Sequence, residues 1–144
     1  MMAWLVKQVN KKNKGFTLIE MVVVLAIIAI LIAIAVPQVL RQINRAKINA
    51  DKANARTIAT AIQQYVGDGY TVTQTNPTAI NGSEPWVTQY MTGGVPKVRY
   101  NSSWQFYYWT DTTGNAVYVG AGSSGSDAQN NELYPELKGV YANP

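Results

Sequence analysis

The sequence contains neither histidine nor cysteine, and charged residues make up only 14% of its 144 residues. Without cysteine there are no disulfides and no thiolate nucleophiles, and without histidine there is no imidazole base. Zinc and copper sites that depend on sulfur or nitrogen ligands are absent for the same reason. This composition disfavours most hydrolytic and redox chemistry, so we expect neither an enzyme nor a bound cofactor.

The net charge of +4 is unevenly distributed along the chain. Residues 1–15 contain four lysines and no acid, whereas the rest of the chain carries eight bases and eight acids. Within that remainder, residues 41–56 contain five bases and one acid, and residues 67–144 contain three bases and six acids. An acidic C-terminal half argues against nucleic-acid binding by that half alone, because such binding needs a basic footprint.

A long apolar run occupies residues 16–36, where Thr17 and Glu20 are the only polar residues. As a helix it would be about 31 Å long, which matches the hydrocarbon thickness of a bilayer. The preceding lysines predict a cytoplasmic N-terminus and an exported C-terminal part. The run is longer than the apolar part of a secretory signal peptide. Because Pro37 follows it in place of a small-x-small cleavage site, we expect the helix to be retained.

Beyond this run, apolar residues recur mostly every three or four positions, which predicts that an amphipathic helix continues the membrane segment to residue 66. Gly67, Asp68 and Gly69 end the pattern. We expect Pro37 to kink or loosen the helix, because it removes a backbone hydrogen bond and crowds the carbonyl of Ala33. Four apolar residues of the helix are expected to pack on strands: Leu40, Ile43, Ile58 and Ile62.

Residues 67–144 are rich in Thr, Asn, Gly, Ser and aromatic residues, which predicts a small globular β-rich head. Its antiparallel sheet would cover the apolar stripe of the helix, giving an α+β fold. We expect a polar surface loop at residues 120–131 and a tail, residues 132–144, that folds back on the sheet. The four expected strands are residues 86–90, 97–100, 104–110 and 116–119.

The junction between the lysines and the apolar run reads KGFTLIE at residues 14–20. With the lysine-rich leader before it, the acid at Glu20 and the proline that closes the run at Pro37, residues 7–40 resemble the type IV pilin family. The leader is similar to that of a class III prepilin. Major pseudopilins of type II secretion systems are related to this family. The resemblance does not extend to residues 70–144.

The resemblance implies a processing and assembly route. A membrane prepilin peptidase would cut after Gly15, removing the cytoplasmic leader of residues 1–15, and would methylate the new amine on Phe16. The implied partners are this peptidase, a membrane platform protein, a cytoplasmic assembly ATPase and further copies of the chain. The product would be a bacterial surface filament, and its use in adhesion, motility, DNA uptake, secretion or conduction is left open.

Glu20 is an acid inside the apolar run. An unpaired carboxylate in a bilayer costs about 2.5 kcal/mol or more, so it indicates a functional site. No lysine or arginine lies between residues 16 and 40, but cleavage after Gly15 creates a positive amine on Phe16. We expect the two charges to pair between neighbouring subunits. The alternative is that Glu20 lies in the first helix turns, where acids interact favourably with the helix dipole.

Residues 16–36 are apolar on every side, and outside lipid they need to pack against copies of themselves. Repeated contacts that do not close generate a helical filament. A structural filament subunit is therefore the first hypothesis. A major pseudopilin, which forms a short periplasmic piston, is the second, and a membrane-anchored monomeric binding module that recognises a ligand through its aromatic residues is the third.

The polar loop near the C-terminus offers oxygen ligands from Asp127, Asn130 and Glu132 that could hold calcium. Their spacing differs from that of an EF-hand, and a plain surface loop is the alternative. The resemblance implies calcium in a C-terminal loop for major pseudopilins, so this region would discriminate between a pilin and a pseudopilin.

Overall fold

The computed structural model describes residues 15–142. It forms two compact units, one ending at Leu40 and the other beginning at Arg41. The predicted α+β fold is confirmed, because a long N-terminal helix is combined with a four-stranded antiparallel sheet. In chain order the elements are α1 (Leu18–Gly67), β1 (Thr78–Ala79), α2 (Pro85–Tyr90), β2 (Gln105–Thr110), β3 (Val117–Gly122), α3 (Gly125–Asn130), β4 (Glu132–Tyr134) and a 3-10 turn (Gly139–Tyr141).

Helix α1 ends at Gly67, within one residue of the end predicted at residue 66. Gly69 has a φ of 95°, and its N–H donates to the carbonyl of Val66 at 3.0 Å, while the N–H of Tyr70 donates to the carbonyl of Tyr65 at 3.3 Å. These two bonds form a Schellman motif, in which glycine supplies the left-handed residue after the helix. The rings of Tyr65 and Tyr70 stack with their centroids 4.4 Å apart and add the apolar contact typical of this motif.

The buried stripe of α1 begins later than the sequence predicts. Ile58 and Ile62 are buried as expected. Leu40 and Ile43 are 56% and 45% exposed, so their predicted packing on strands is wrong. Both residues precede Ile48, which is the first buried residue of α1. Every buried side chain of α1 lies on the unit that begins at Arg41: Ile48, Asp51, Ala55, Ile58, Ala59, Ala61 and Ile62.

The sheet has the order β1-β2-β3-β4, and all neighbouring strands are antiparallel. Side chains of one face, including Phe106, Tyr108 and Val119, belong to the same apolar core as the buried residues of α1. On the other face, α3 lies against two glycines of β3. A Cβ on Gly120 would approach the Ala128 carbonyl oxygen to 2.1 Å, so only glycine permits this contact.

Two of the four predicted strands are confirmed, as β2 and the longer β3. Residues 86–90 form helix α2 instead of a strand, because Pro85 occupies its first turn, where a fixed φ and a missing N–H suit a helix. Residues 97–100 are not a strand either, because the backbone N–H groups of Arg99 and Tyr100 donate to the carboxylate of Asp51.

The other two strands come from segments that were not expected to pair. The two-residue strand β1 pairs with β2, and β4 pairs with β3. The expected polar loop at residues 120–131 is wrong, because it contains the end of β3 and the whole of α3. The tail folds back as predicted, since β4 joins the sheet and Tyr141 is fully buried in the core.

Candidate assembly site

The N-terminus of α1 is closed by a reciprocal pair of side chain to backbone hydrogen bonds. The N–H of Thr17 donates to Glu20 Oε2 at 2.7 Å, and the N–H of Glu20 donates to Thr17 Oγ1 at 3.3 Å. The Thr17 hydroxyl also donates to Glu20 Oε2 at 2.9 Å. This arrangement is a capping box, which satisfies N–H groups that have no partner inside the helix.

The residues around this capping box are open to solvent in the single chain. Phe16 is 82% exposed, and Gly15 and Glu20 are exposed as well. Within residues 15–142, Glu20 Oε1 accepts no hydrogen bond, because all the bonds to this carboxylate use Oε2. The side chain therefore supports its own helix with one oxygen and keeps the other available. Pairing of Glu20 with a Phe16 amine of another subunit stays a prediction.

The apolar surface next to this site is continuous along α1. By length and composition, the helix can cross a membrane, and none of its most apolar stretch is buried. The helix continues without interruption through Pro37, and the kink expected there stays a prediction. The large apolar side chains exposed on it include Leu18, Ile19, Met21, Val22, Val23, Val24, Leu25, Ile27, Ile28, Ile30, Leu31, Ile32, Ile34, Val36 and Val39.

Two of the three calcium candidates are engaged in other interactions. Asp127 Oδ2 accepts hydrogen bonds from the N–H and the hydroxyl of Ser123 at 3.1 and 2.9 Å. Glu132 is buried and pairs with Lys138 at 2.6 Å, which raises the pKa of that lysine. Asn130 is exposed at the end of α3. Among the described residues, no group of three or more acidic, His or Cys side chains could hold a metal ion.

A buried carboxylate that the sequence reasoning missed lies on α1. Asp51 accepts hydrogen bonds from the N–H of Arg99 at 2.6 Å, the N–H of Tyr100 at 2.9 Å and the hydroxyl of Tyr141 at 3.0 Å. Burial, with the negative charge of Asp51 close by, raises the pKa of Tyr141. The sequence feature that could have identified this buried acid is its spacing, because Asp51 follows Ile48 by three residues and so lies on the same face of the helix.

The N-terminal part of the chain carries a motif that is described for a family of prokaryotic proteins. Residues 10–36 match the prokaryotic N-terminal methylation motif. This span contains the KGFTLIE junction, the capping box and the apolar run.

Among curated relatives, the chain is 39% identical over 61 residues to the type II secretion system core protein G of Pseudomonas aeruginosa, covering 42% of this chain and 43% of that protein. It is 40% identical over 63 residues to the type IV major pilin protein PilA of Myxococcus xanthus, covering 44% and 29%. It is 46% identical over 57 residues to the type IV major fimbrial protein FimA of Dichelobacter nodosus, covering 40% and 36%.

The chain thus spans less than half the length of each of these relatives. No solved structure matches it significantly. The predicted resemblance to type IV pilins and to type II secretion pseudopilins is confirmed, since relatives of both kinds are found and the methylation motif is present.

Proposed function

We propose that this chain is a structural subunit of the pilin type, which polymerises into a type IV pilus-like filament at the cell surface. One observation carries the proposal: the methylation motif leads into a helix whose apolar side chains are exposed as far as Ile43. Such a surface is stable in lipid, and outside lipid it needs an apolar partner. Other copies of the same helix supply that partner. Relatives named as a major pilin and major fimbrial proteins support the proposal.

Assembly follows removal of the leader. The prepilin peptidase cuts between Gly15 and Phe16 and methylates the Phe16 amine. Both residues precede the first turn of α1 and are exposed, which supports access by a peptidase. The precursor is a single-pass protein of the cytoplasmic membrane with residues 67–144 exported, and a platform protein and an ATPase drive its transfer into the filament.

Within the filament, Glu20 of one subunit pairs with the Phe16 amine of a neighbour. The capping box supports this pairing, because it holds the Glu20 carboxylate at the helix N-terminus through Oε2 and leaves Oε1 free within the described chain. An ammonium at Oε1 would neutralise a carboxylate that is costly to leave unpaired among apolar side chains.

The test is electron microscopy of material sheared from the surface of cells that express the chain, combined with mass spectrometry of that material. We expect long fibres, loss of residues 1–15 and addition of one methyl group. An intact leader on dispersed single particles would contradict the proposal and would favour the membrane-anchored monomeric binding module.

The second candidate function is that of a major pseudopilin, which is favoured by the similarity to core protein G. It shares the same helix packing but forms a short periplasmic piston. Trimmed and methylated protein without surface fibres would favour it over a pilus. A calcium-dependent rise in the melting temperature of the unit that begins at Arg41, abolished by Asp127→Asn, would also favour the pseudopilin.

A further inference from the structure

A groove of about 590 Å³ lies beside the start of β2 and has no assigned role. Its volume falls within the range of sites that bind small molecules. The loop before β2 contributes two cations, Lys97 and Arg99, and one aromatic residue, Trp104. Ser102 and Gln105 also line the groove, and the Gln105 amide nitrogen donates to the Tyr107 hydroxyl at 3.1 Å. The groove therefore combines a positive charge, a flat ring and neutral hydrogen-bonding groups.

The two cations are free of acidic partners in the described chain. Residues 67–144 contain three bases, and Lys138 forms an ion pair with Glu132, whereas neither Lys97 nor Arg99 has a carboxylate within salt-bridge distance among residues 15–142. Both side chains are exposed. Within residues 67–144, the two cations without an acidic partner among the described residues thus lie at the same groove, which favours an anionic ligand there.

The loop that carries these groups is anchored to α1 by hydrogen bonds. Asp51 fixes the backbone of Arg99 and Tyr100, and Val98 is buried between the two exposed cations. The ring of Tyr100 lies 5.8 Å from that of Trp104, centroid to centroid. A loop anchored in this way loses little conformational entropy when it binds a ligand.

We propose that this groove binds a short acidic saccharide. The Arg99 guanidinium matches the fork of a sugar carboxylate, and Lys97 adds a second positive charge. The partly exposed ring of Trp104 would stack on the C–H side of a pyranose, while the exposed Ser102 would bind a sugar hydroxyl. A groove lined by two cations offers few phosphate contacts, which disfavours a long polyanion such as DNA. The proposal does not depend on polymerisation.

Calorimetric titration of the full chain in detergent with trigalacturonic acid tests the proposal. We expect Arg99→Gln to weaken binding about tenfold, because one charge-assisted interaction is lost. Trp104→Ala should weaken it as well. The matched control is Lys47→Gln, which removes an equal charge from an exposed residue that does not line the groove. This control should bind trigalacturonic acid like the unaltered chain.

Two further probes make the test specific. Maltotriose, a neutral saccharide of the same length, should bind at least about tenfold more weakly. A short single-stranded oligonucleotide should also bind more weakly than trigalacturonic acid. Equal binding of maltotriose, tighter binding of the oligonucleotide, or equal losses in Arg99→Gln and Lys47→Gln would each overturn the proposal. Because Arg99 is exposed, its variant tests the site even if Trp104→Ala fails to fold.

Discussion

Among residues 15–142, acidic side chains bind backbone N–H groups more often than they bind basic side chains. Glu20 accepts a hydrogen bond from the N–H of Thr17, and Asp51 accepts bonds from two N–H groups of the loop before β2. Glu84 accepts bonds from the N–H groups of Asn81 and Gly82. Carboxylates used in this way fix the path of the chain, because each oxygen accepts bonds in defined directions. The helix cap needs a hydrogen-bond acceptor but no charge, so a mutation can remove the charge of Glu20 and keep the cap.

Replacing Glu20 with glutamine or alanine distinguishes its charge from its helix cap. Glutamine can keep the bond from the Thr17 N–H, because it also serves in a capping box, whereas alanine cannot. If the carboxylate pairs with a Phe16 amine, both variants should lose filament yield by about tenfold or more, measured by quantifying sheared fibres. Fibre yield that is normal in Glu20→Gln and reduced in Glu20→Ala would instead assign Glu20 to the cap alone.

Replacing Asp51 with alanine should destabilise the unit that begins at Arg41 by about 3 kcal/mol, because two backbone N–H groups and a buried hydroxyl lose their acceptor. Tyr141→Phe is the matched control. It removes one of the three bonds and should cost about 1.5 kcal/mol. Urea unfolding followed by tryptophan fluorescence measures both values. Equal effects of the two variants would show that the bonds from Arg99 and Tyr100 contribute little.

The stability of the same unit should also fall at alkaline pH. Burial and the nearby Asp51 carboxylate raise the pKa of Tyr141 above its ordinary value of 10.0, so the folded state keeps a proton that the unfolded state releases. This contribution is complete below pH 10 and is lost as the pH rises towards the higher pKa of the folded state. Unfolding free energies measured from neutral to alkaline pH should therefore fall less steeply in Tyr141→Phe. Parallel curves would contradict this assignment.

At the scale of the elements, the close contact between α3 and β3 explains why glycine occupies the sheet. Gly120→Ala should cost about 2 kcal/mol or more, because the new methyl group cannot fit against the Ala128 carbonyl oxygen and α3 must move. Gly93→Ala is the control, since a Cβ there meets no atom within 4 Å. Denaturant unfolding compares the two variants, and equal stabilities would refute the close packing of α3.

The elements that the sequence predicts well are those determined by local chemistry. The helix end follows from Gly69, and β2 and β3 follow from their apolar and aromatic residues around a turn. The segment at 97–100 has the composition of a strand, but its N–H groups bind Asp51, which is distant in sequence. Secondary-structure propensity cannot predict such a bond, because the bond depends on a tertiary contact.

The capping box at the candidate assembly site could have been predicted from local chemistry, although the sequence analysis did not identify it, and the pairing of Glu20 with Phe16 stays a prediction. The spacing of Thr17 and Glu20 is that of a capping box, so the interaction is contained in four consecutive residues. The groove beside β2 was not predictable. Its cations and its aromatic residue come together only because the loop is anchored to α1, and the composition of residues 67–144 as a whole is acidic.

At the scale of the whole molecule, burial is concentrated in one of the two units. Every buried apolar side chain among residues 15–142 comes from Ile48 onwards, within the unit that begins at Arg41. The part ending at Leu40 buries none of its apolar side chains in the single chain. The unit that begins at Arg41 thus has its own core, whereas the part ending at Leu40 needs apolar cover from lipid or from a partner.

This distribution predicts different behaviour for two shortened chains. A chain that begins at Phe16 should form fibres or aggregates when detergent is removed, because its apolar helix surface then meets water. A chain that begins at Arg41 should stay monomeric and fold, because it retains every apolar residue that is buried within residues 15–142. Light scattering, electron microscopy and circular dichroism measure the two outcomes. Single dispersed particles of the Phe16 chain in detergent-free buffer, or equal association of both chains, would contradict assembly through the N-terminal helix.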